Sequence, residues 1–187
     1  MRLNQSNNLK QMSLPQPPAP AKLLIGVFGK NKKVIERLVL ELSSQFGPID
    51  LVSSWMDFNY TNYYKPEMGS PLARRIFAFN QLIEQSGIAD IKIATNQIEQ
   101  SYSTAGKRQV NVDPGYLLHE RFVLASGKNF SHRIYIGLGI YADLTLIYQK
   151  GRFQKLPWTY PDYADPEMIC FLEQVRRKYV LDLKSKR

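Results

Sequence analysis

Three features of the amino-acid sequence predict an α+β fold: a single domain with a mixed, largely antiparallel sheet, an opening β-α-β unit and flanking helices. The first is the opening, where a β-type run, a helical periodicity and a Gly-Pro stop follow one another between Lys22 and Pro48. The second is a change past Gln109, where short strand-like runs alternate with turn residues. The third is a helical stripe near the C-terminus. Mixed helices and strands followed by a strand-rich half read as α+β.

The chain has 187 residues, the length of one domain, and its 44 % hydrophobic content supplies a core. The single cysteine, Cys170, excludes an internal disulfide and a Cys-based zinc site. No run approaches the ~18 consecutive apolar residues of a spanning helix. Residues 1–21 are Asn/Gln-rich and then Pro-rich, a composition that does not offset its ordering entropy. They are expected to be a disordered arm, with one globular domain over 22–184 and a basic tail at 185–187. The arm lacks an apolar signal core, so the expected location is the cytoplasm.

Leu23, Leu24, Ile25 and Val27 predict a strand buried on both faces. Val34, Ile35, Leu38, Val39, Leu42 and Phe46 follow at helical spacing, and Gly47-Pro48 stops the helix. Ile49–Phe58 reads as a second strand and the tyrosine-rich Asn59–Gly69 as a loop. Ser70-Pro71 reads as a helix start, with Leu72, Ile76, Phe79 and Ile83 as its buried stripe. Ile91–Ala94 reads as a third strand and Asn96–Tyr102 as a short helix. Beyond these, strands are expected at Gln109–Val112, Arg121–Ala125 and His132–Tyr148, with turns at Asp113-Pro114-Gly115 and Gly127-Lys128-Asn129. The last run would span about 55 Å at ~3.3 Å per residue, so a bend is expected at Gly137-Leu138-Gly139. Asp165-Pro166 opens a final helix with the stripe Met168, Phe171, Leu172, Val175 and Tyr179, and Cys170 is placed on its core-facing side.

The net charge of +9 would suit a nucleic-acid binder if it were spread over the chain. It is not: residues 176–187 carry +5 and residues 1–10 carry +2, leaving +2 for everything between. The folded body is near neutral. The basic C-terminus is left as a candidate for weak RNA contact beside its plainer role as a solvated end.

Polar side chains concentrate at a few places. Gly26-Val27-Phe28-Gly29-Lys30-Asn31 sits between strand and helix but lacks the spacing and the magnesium-binding hydroxyl of a phosphate loop, so it reads as a tight turn. Arg74 and Arg75 need an acidic partner, either Glu67 or Asp57 within the chain or a bound anion. Asn96 and Glu99 form a capping-box pattern that also presents an amide and a carboxylate. Asn111 and Asp113 share strand parity next to Arg108. His132 opens a strand among polar residues. A stiff aromatic segment, Trp158 to Tyr163, is suited to stacking on a planar ligand. The two histidines and nearby carboxylates lack metal-ligand spacing, so no metal site is expected, and the residues point to no particular cofactor.

Several ordered strings resemble a known family. They are Tyr63-Tyr64 with Glu67-Met68-Gly69, Thr95-Asn96-x-Ile98-Glu99, Val112-Asp113-Pro114-Gly115-Tyr116, His132-Arg133-Ile134-Tyr135, Gly139-Ile140-Tyr141-Ala142 and Trp158-Thr159-Tyr160-Pro161-Asp162-Tyr163. They resemble a family of uncharacterised prokaryotic proteins, a domain of unknown function, over roughly residues 20 to 182. Members are sometimes labelled GTP-binding, but the chain has no Asn-Lys-x-Asp string, and Asp143 stands where the family has Glu. The resemblance implies no activity. The residues themselves lead to the expectation of a small anionic ligand, a nucleotide or sugar phosphate, in a cleft at strand ends. Arg74, Arg108 and Arg133 are the expected anion contacts, and Asn96, Asn111, Tyr116, Tyr141 and Trp158 further ligand contacts. Asp113, Glu99 and His132 are the acid–base candidates if the protein is a hydrolase or transferase acting on a phosphorylated metabolite.

Overall fold

The computed structural model describes residues 14–185. Most of the expected arm, and residues 186 and 187 of the expected tail, lie outside them. Leu14–Pro20 is exposed and irregular. It is tied down at its end, where Tyr179 Oη donates to the Pro20 carbonyl at 2.8 Å and Gln85 Nε2 to the Ala19 carbonyl at 2.9 Å.

Strand β1, Ala21–Gly29, is buried along its whole length. Helix α1, Lys32–Phe46, is capped by Asn31, whose side-chain oxygen accepts from the Lys33 N–H at 3.0 Å, and it stops at Gly47 as expected. There follow β2 (Ile49–Val52), β3 (Met56–Asp57), the single turn α2 (Lys65–Met68), β4 (Ala73–Ile83) and α3 (Ile88–Ser101). A small separate hairpin, β5 (Ser103–Thr104) with β6 (Lys107–Arg108), leads into β7 (Val110–Leu117). The rest is β8 (Arg121–Ser126), β9 (Arg133–Gly137), β10 (Ile140–Gln149), β11 (Arg152–Lys155) and α4 (Pro166–Ser185). The predicted bend at Gly137-Leu138-Gly139 is the turn between β9 and β10, and the predicted stripe of α4 is its buried face.

The main sheet runs β11-β10-β8-β7-β1-β4-β2, with β3 beside β4 and β9 beside β10. Every pairing is antiparallel. Strands β1 and β2 run parallel to each other with β4 between them, so the opening β-α-β unit is split. A second split unit, β4-α3-β7, interlocks with it to give the order β7-β1-β4-β2, which is the ferredoxin-like connectivity. The later strands extend this core on the β7 side.

Four expectations are corrected. Residues 73–83 form a strand, not a helix: Leu72, Ile76, Phe79 and Ile83 have helical spacing only because a strand between two neighbours is apolar on both faces. Ile91–Ala94 is helical, and Asn96 lies inside α3 rather than capping a new helix. The buried stripe of α3 carries Lys92 and Thr95, two polar residues that broke the apolar pattern. Strand β7 runs straight through Asp113-Pro114-Gly115. Pro114 is tolerated because β8 pairs only with Gly115–Leu117, leaving β7 upstream of that point with β1 on one side alone. Cys170 is exposed.

One buried charge ties the first strand to the last helix. The fully buried Lys22 ammonium lies 2.5 Å from Asp50 and 2.8 Å from Asp182, and Lys178 bridges the same two carboxylates. Burial alone would raise the Asp182 carboxyl, but hydrogen bonds from Lys178 and Lys22 outweigh it and hold the group below the usual aspartate range. A depressed native value means a contribution present above about pH 4 and lost as pH falls through the native value. Lys22→Met should therefore cost about 3 kcal/mol in urea unfolding at pH 7, because two carboxylates are left short of a partner. The variant should also lose less stability than the parent between pH 5 and pH 3. Equal acid slopes would show that the cluster does not govern acid sensitivity.

Candidate functional site

The main cleft, of about 680 Å³, lies where β7 has lost its second strand neighbour. Cross-strand register puts Arg74, Phe28 and Asn111 in one row and Ile76, Gly26 and Asp113 in the next, all on one face of the sheet. Gly26 leaves room there: a Cβ would lie 3.2 Å from Arg74 Nη2 and 3.3 Å from the Tyr163 hydroxyl. Helix α3 closes the open edge of β7. Glu99 accepts the Val112 N–H at 2.8 Å, and Lys92 donates to the Val112 carbonyl at 2.9 Å. Two side chains thus replace the ladder bonds of a missing strand, which a buried backbone requires.

Around this floor stand three walls. The segment from Phe58 to Tyr64 supplies Phe58, Tyr60, Tyr63 and Tyr64; Phe58 stacks on Phe28 at 4.3 Å, and Tyr64 meets Phe28 edge-on at 4.8 Å. Beyond the end of β8 come Ser126, Gly127 and Lys128, with Arg133 and Asp143 from β9 and β10. The third wall is Tyr160–Tyr163. The tyrosine loop is latched at both ends. Glu67 takes Arg108 bidentately, at 2.7 and 2.8 Å, and Tyr60 donates to Asp165 at 2.9 Å.

Of the residues singled out from sequence, Asn96, Glu99, Arg108, Asn111, Asp113 and Arg133 line the cleft. Arg74, Tyr116, Tyr141, His132 and Trp158 do not. Arg74 is buried beside the cleft floor, ion-paired with Asp162, its guanidinium 4.2 Å from the Tyr163 ring centre. Tyr116 has the opposite strand parity from Asp113 and is buried. Tyr141 packs on Tyr135. Trp158 donates to the Leu144 carbonyl and stacks on His132 at 5.0 Å, which holds both rings outside. His132 does touch the cleft residue Asp143, at 3.3 Å.

The three expected anion-binding arginines all have internal partners. Arg108 also donates to Glu99 at 2.6 Å and to Asn111 at 3.2 Å. Arg133 donates to Asp143 at 2.9 Å and to the Lys128 carbonyl at 2.8 Å, and it also bonds Tyr160. Hydrogen bonding to Glu67 raises the Arg108 pKa, while that same bond, outweighing burial, lowers the Glu67 carboxyl. Burial, with the Asp113 charge adding, pushes Tyr64 up to about 12, so its hydroxyl stays a neutral donor. Among the cleft residues that sequence reasoning passed over, Lys92 and Lys128 matter most. Lys92 falls in the segment Ile91–Ala94, whose sequence predicts a strand, and Lys128 in the predicted turn Gly127-Lys128-Asn129. Among the described residues no metal-binding group of three or more His, Cys, Asp or Glu side chains is present, and no helix is long and apolar enough to cross a membrane.

The Glu67 latch predicts its own pH response. With its native value depressed, the ion pair contributes above the ordinary glutamate value of 4.5 and is lost as pH falls through the native one. Glu67→Gln should speed amide hydrogen exchange across residues 59–69 by about tenfold at pH 7, the signature of local opening. In the parent, acidification toward pH 3.5 should destabilise the same segment relative to the core. Unchanged protection in the variant would show that the aromatic contacts alone hold the loop.

The connectivity and the cleft accompany a family assignment. No curated protein and no solved structure matches the chain. A family model, Domain of unknown function (DUF4416), matches residues 19–179, from just before β1 to the buried Tyr179 of α4. With that match spanning the sheet, the cleft and most of the last helix, the chain belongs to this family.

Proposed function

We propose that the protein binds a small ligand of nucleotide or sugar-phosphate type, one ring system with one anionic group, in the cleft beside β7. The observation that carries this reading is the pairing of a tyrosine wall with a hydrogen-bonding floor across about 680 Å³. Small-molecule sites are typically concave, ~300–1,000 Å³, largely apolar and equipped with a few fixed polar groups. The charges of the lining residues balance, with Lys92, Arg108, Lys128 and Arg133 against Glu99, Asp113, Asp143 and Asp162. That balance suits a ligand of low charge and disfavours a polyphosphate. A cytoplasmic setting fits a metabolite of this kind.

A hydrolase or transferase reading rests on a narrower base. Both Glu99 oxygens are engaged, by Arg108 and the Val112 N–H, and His132 lies outside the cleft lining. Asp113 is then the one acid–base candidate with a free oxygen toward the ligand space. The RNA reading has weaker support. Arg176 donates to the His119 carbonyl and covers the Tyr148 ring at 3.6 Å, and Lys178 is held by Asp50 and Asp182.

A thermal-shift panel of nucleoside monophosphates, sugar phosphates and inorganic phosphate tests the proposal. A ligand at one hundred times its Kd adds about 2.7 kcal/mol, which for a chain of this size is about 5–10 °C in Tm. At least one ring-bearing phosphate should reach that shift, and the exposed Tyr63, changed to Ala, should reduce it without lowering the ligand-free Tm. A panel without any stabilising member would refute the reading.

A further inference from the structure

We infer that the ligand is a nucleotide that enters base-first, its base edge read by Asp113, Lys92 and Asn96 and its phosphate left at the mouth beside Lys128. This deepens the reading above and rests on it. The argument is a census of which polar groups around the cleft already have partners.

Most do. Glu99 is occupied at both oxygens, and Asp143 accepts from Arg133 and Thr145 while contacting His132. Arg108 and Arg133 are held as described. For a ligand to take any of these it must break an existing charge pair, which carries a heavy penalty in a partly buried site. Four groups remain. One Asp113 oxygen accepts from Asn111 at 2.7 Å, but the other has only the Lys92 ammonium, 3.7 Å away and beyond hydrogen-bond reach. Lys92 donates one proton to the Val112 carbonyl and has two to give. Asn96 is exposed on α3 and its side chain has no hydrogen-bond partner among the described residues, so its whole amide is available. Lys128 has no carboxylate within 4 Å among the described residues; its ammonium makes one long hydrogen bond, 3.5 Å, to the Tyr63 hydroxyl and sits 4.8 Å from that ring's centre.

Asp113 only accepts and Lys92 only donates, and they stand side by side. Their complement is a ligand edge that presents an N–H donor next to an acceptor, as every nucleobase does. The amide of Asn96 fits the same edge from the helix side, and the tyrosine rings offer stacking faces for a flat heterocycle. The phosphate has the opposite preference. Deep in the cleft it would face Glu99, Asp113 and Asp143, whereas at the mouth it meets the Lys128 ammonium, which no described carboxylate neutralises. A sugar phosphate offers hydroxyls to Asp113 but no flat face of comparable area to the tyrosines, so the base is the better occupant.

Isothermal titration tests this with the four ribonucleoside monophosphates, their nucleosides and ribose 5-phosphate. The proteins are the parent, Asp113→Asn, Asn96→Ala and Lys128→Ala. For the nucleotide that binds best, its nucleoside should bind within about tenfold, and ribose 5-phosphate at least about 100-fold more weakly. Asp113→Asn should weaken nucleotide and nucleoside alike by about 10–100-fold, because a donor edge then meets a mismatched amide. Asn96→Ala, at an exposed helix position where folding is not at issue, should weaken both by several-fold. Lys128→Ala should weaken the nucleotide by about 3–10-fold and leave the nucleoside unchanged. If ribose 5-phosphate binds as tightly as the nucleotide, or if Asp113→Asn and Asn96→Ala leave nucleoside binding intact, the base-first orientation is overturned while the small-ligand reading stands. If no compound in the panel binds, both are overturned.

Discussion

The arrangement of the cleft depends on the peptide group of Val112. Strand β7 has β1 along one side, but β8 reaches only as far as Gly115 on the other. A buried N–H and C=O facing no strand would each forfeit a hydrogen bond. Glu99 and Lys92, nearly two turns apart on α3, take these two groups. The helix is thereby fixed at hydrogen-bonding distance from the sheet, and the space that a further strand would have filled becomes a cavity. The same two side chains begin the polar network of the floor, since Glu99 continues to Arg108 and Lys92 stands beside Asp113.

From there the network runs outward in charge pairs. Arg108 joins α3, β7 and the tyrosine loop through Glu99, Asn111 and Glu67. Beside the cleft floor, Arg74 and Asp162 pair next to Tyr163, and at the far side Asp143 holds Arg133 and His132 together. Arginine is suited to such junctions because its planar fork serves several acceptors at once. The consequence for recognition is subtractive. Guanidinium groups that look in sequence like anion contacts are fastening points, and the polar atoms left over sit on shorter or less conspicuous side chains.

The fold class, the opening β-α-β unit, the β9–β10 turn and the final helix were legible because each obeys a local rule. Gly47-Pro48 stops a helix, two glycines flank a hairpin turn, and Met168 to Tyr179 form an uninterrupted apolar stripe. The β4 and α3 segments were not legible, and for opposite reasons. Strand β4 is covered on both sides, so its alternation is erased. Helix α3 buries Lys92 and Thr95 for the sake of the neighbouring strand edge, so its stripe looks broken. The candidate site divided along a similar line. Asn111 and Asp113 were found by strand parity, which survives whatever the tertiary setting. Arg74, Tyr116, Tyr141, His132 and Trp158 were chosen by residue type and neighbourhood, and whether such a group faces a cavity or a partner is decided by contacts far off in the chain.

The central position of β1 bears on how the molecule is made. Its first residues pair with Ile83 on one flank and Leu117 on the other, and the Pro20 carbonyl just before it is bonded by Tyr179. Strand β1 therefore has no sheet neighbour until β4, which begins at Ala73, has been made, and it gains its second only with β7, which begins at Val110. An apolar segment held unpaired for that long is the part of the nascent chain most in need of shielding, and topologies dominated by such distant pairings assemble slowly. In this protein the central strand of the sheet is flanked on both sides only once β7 has joined it.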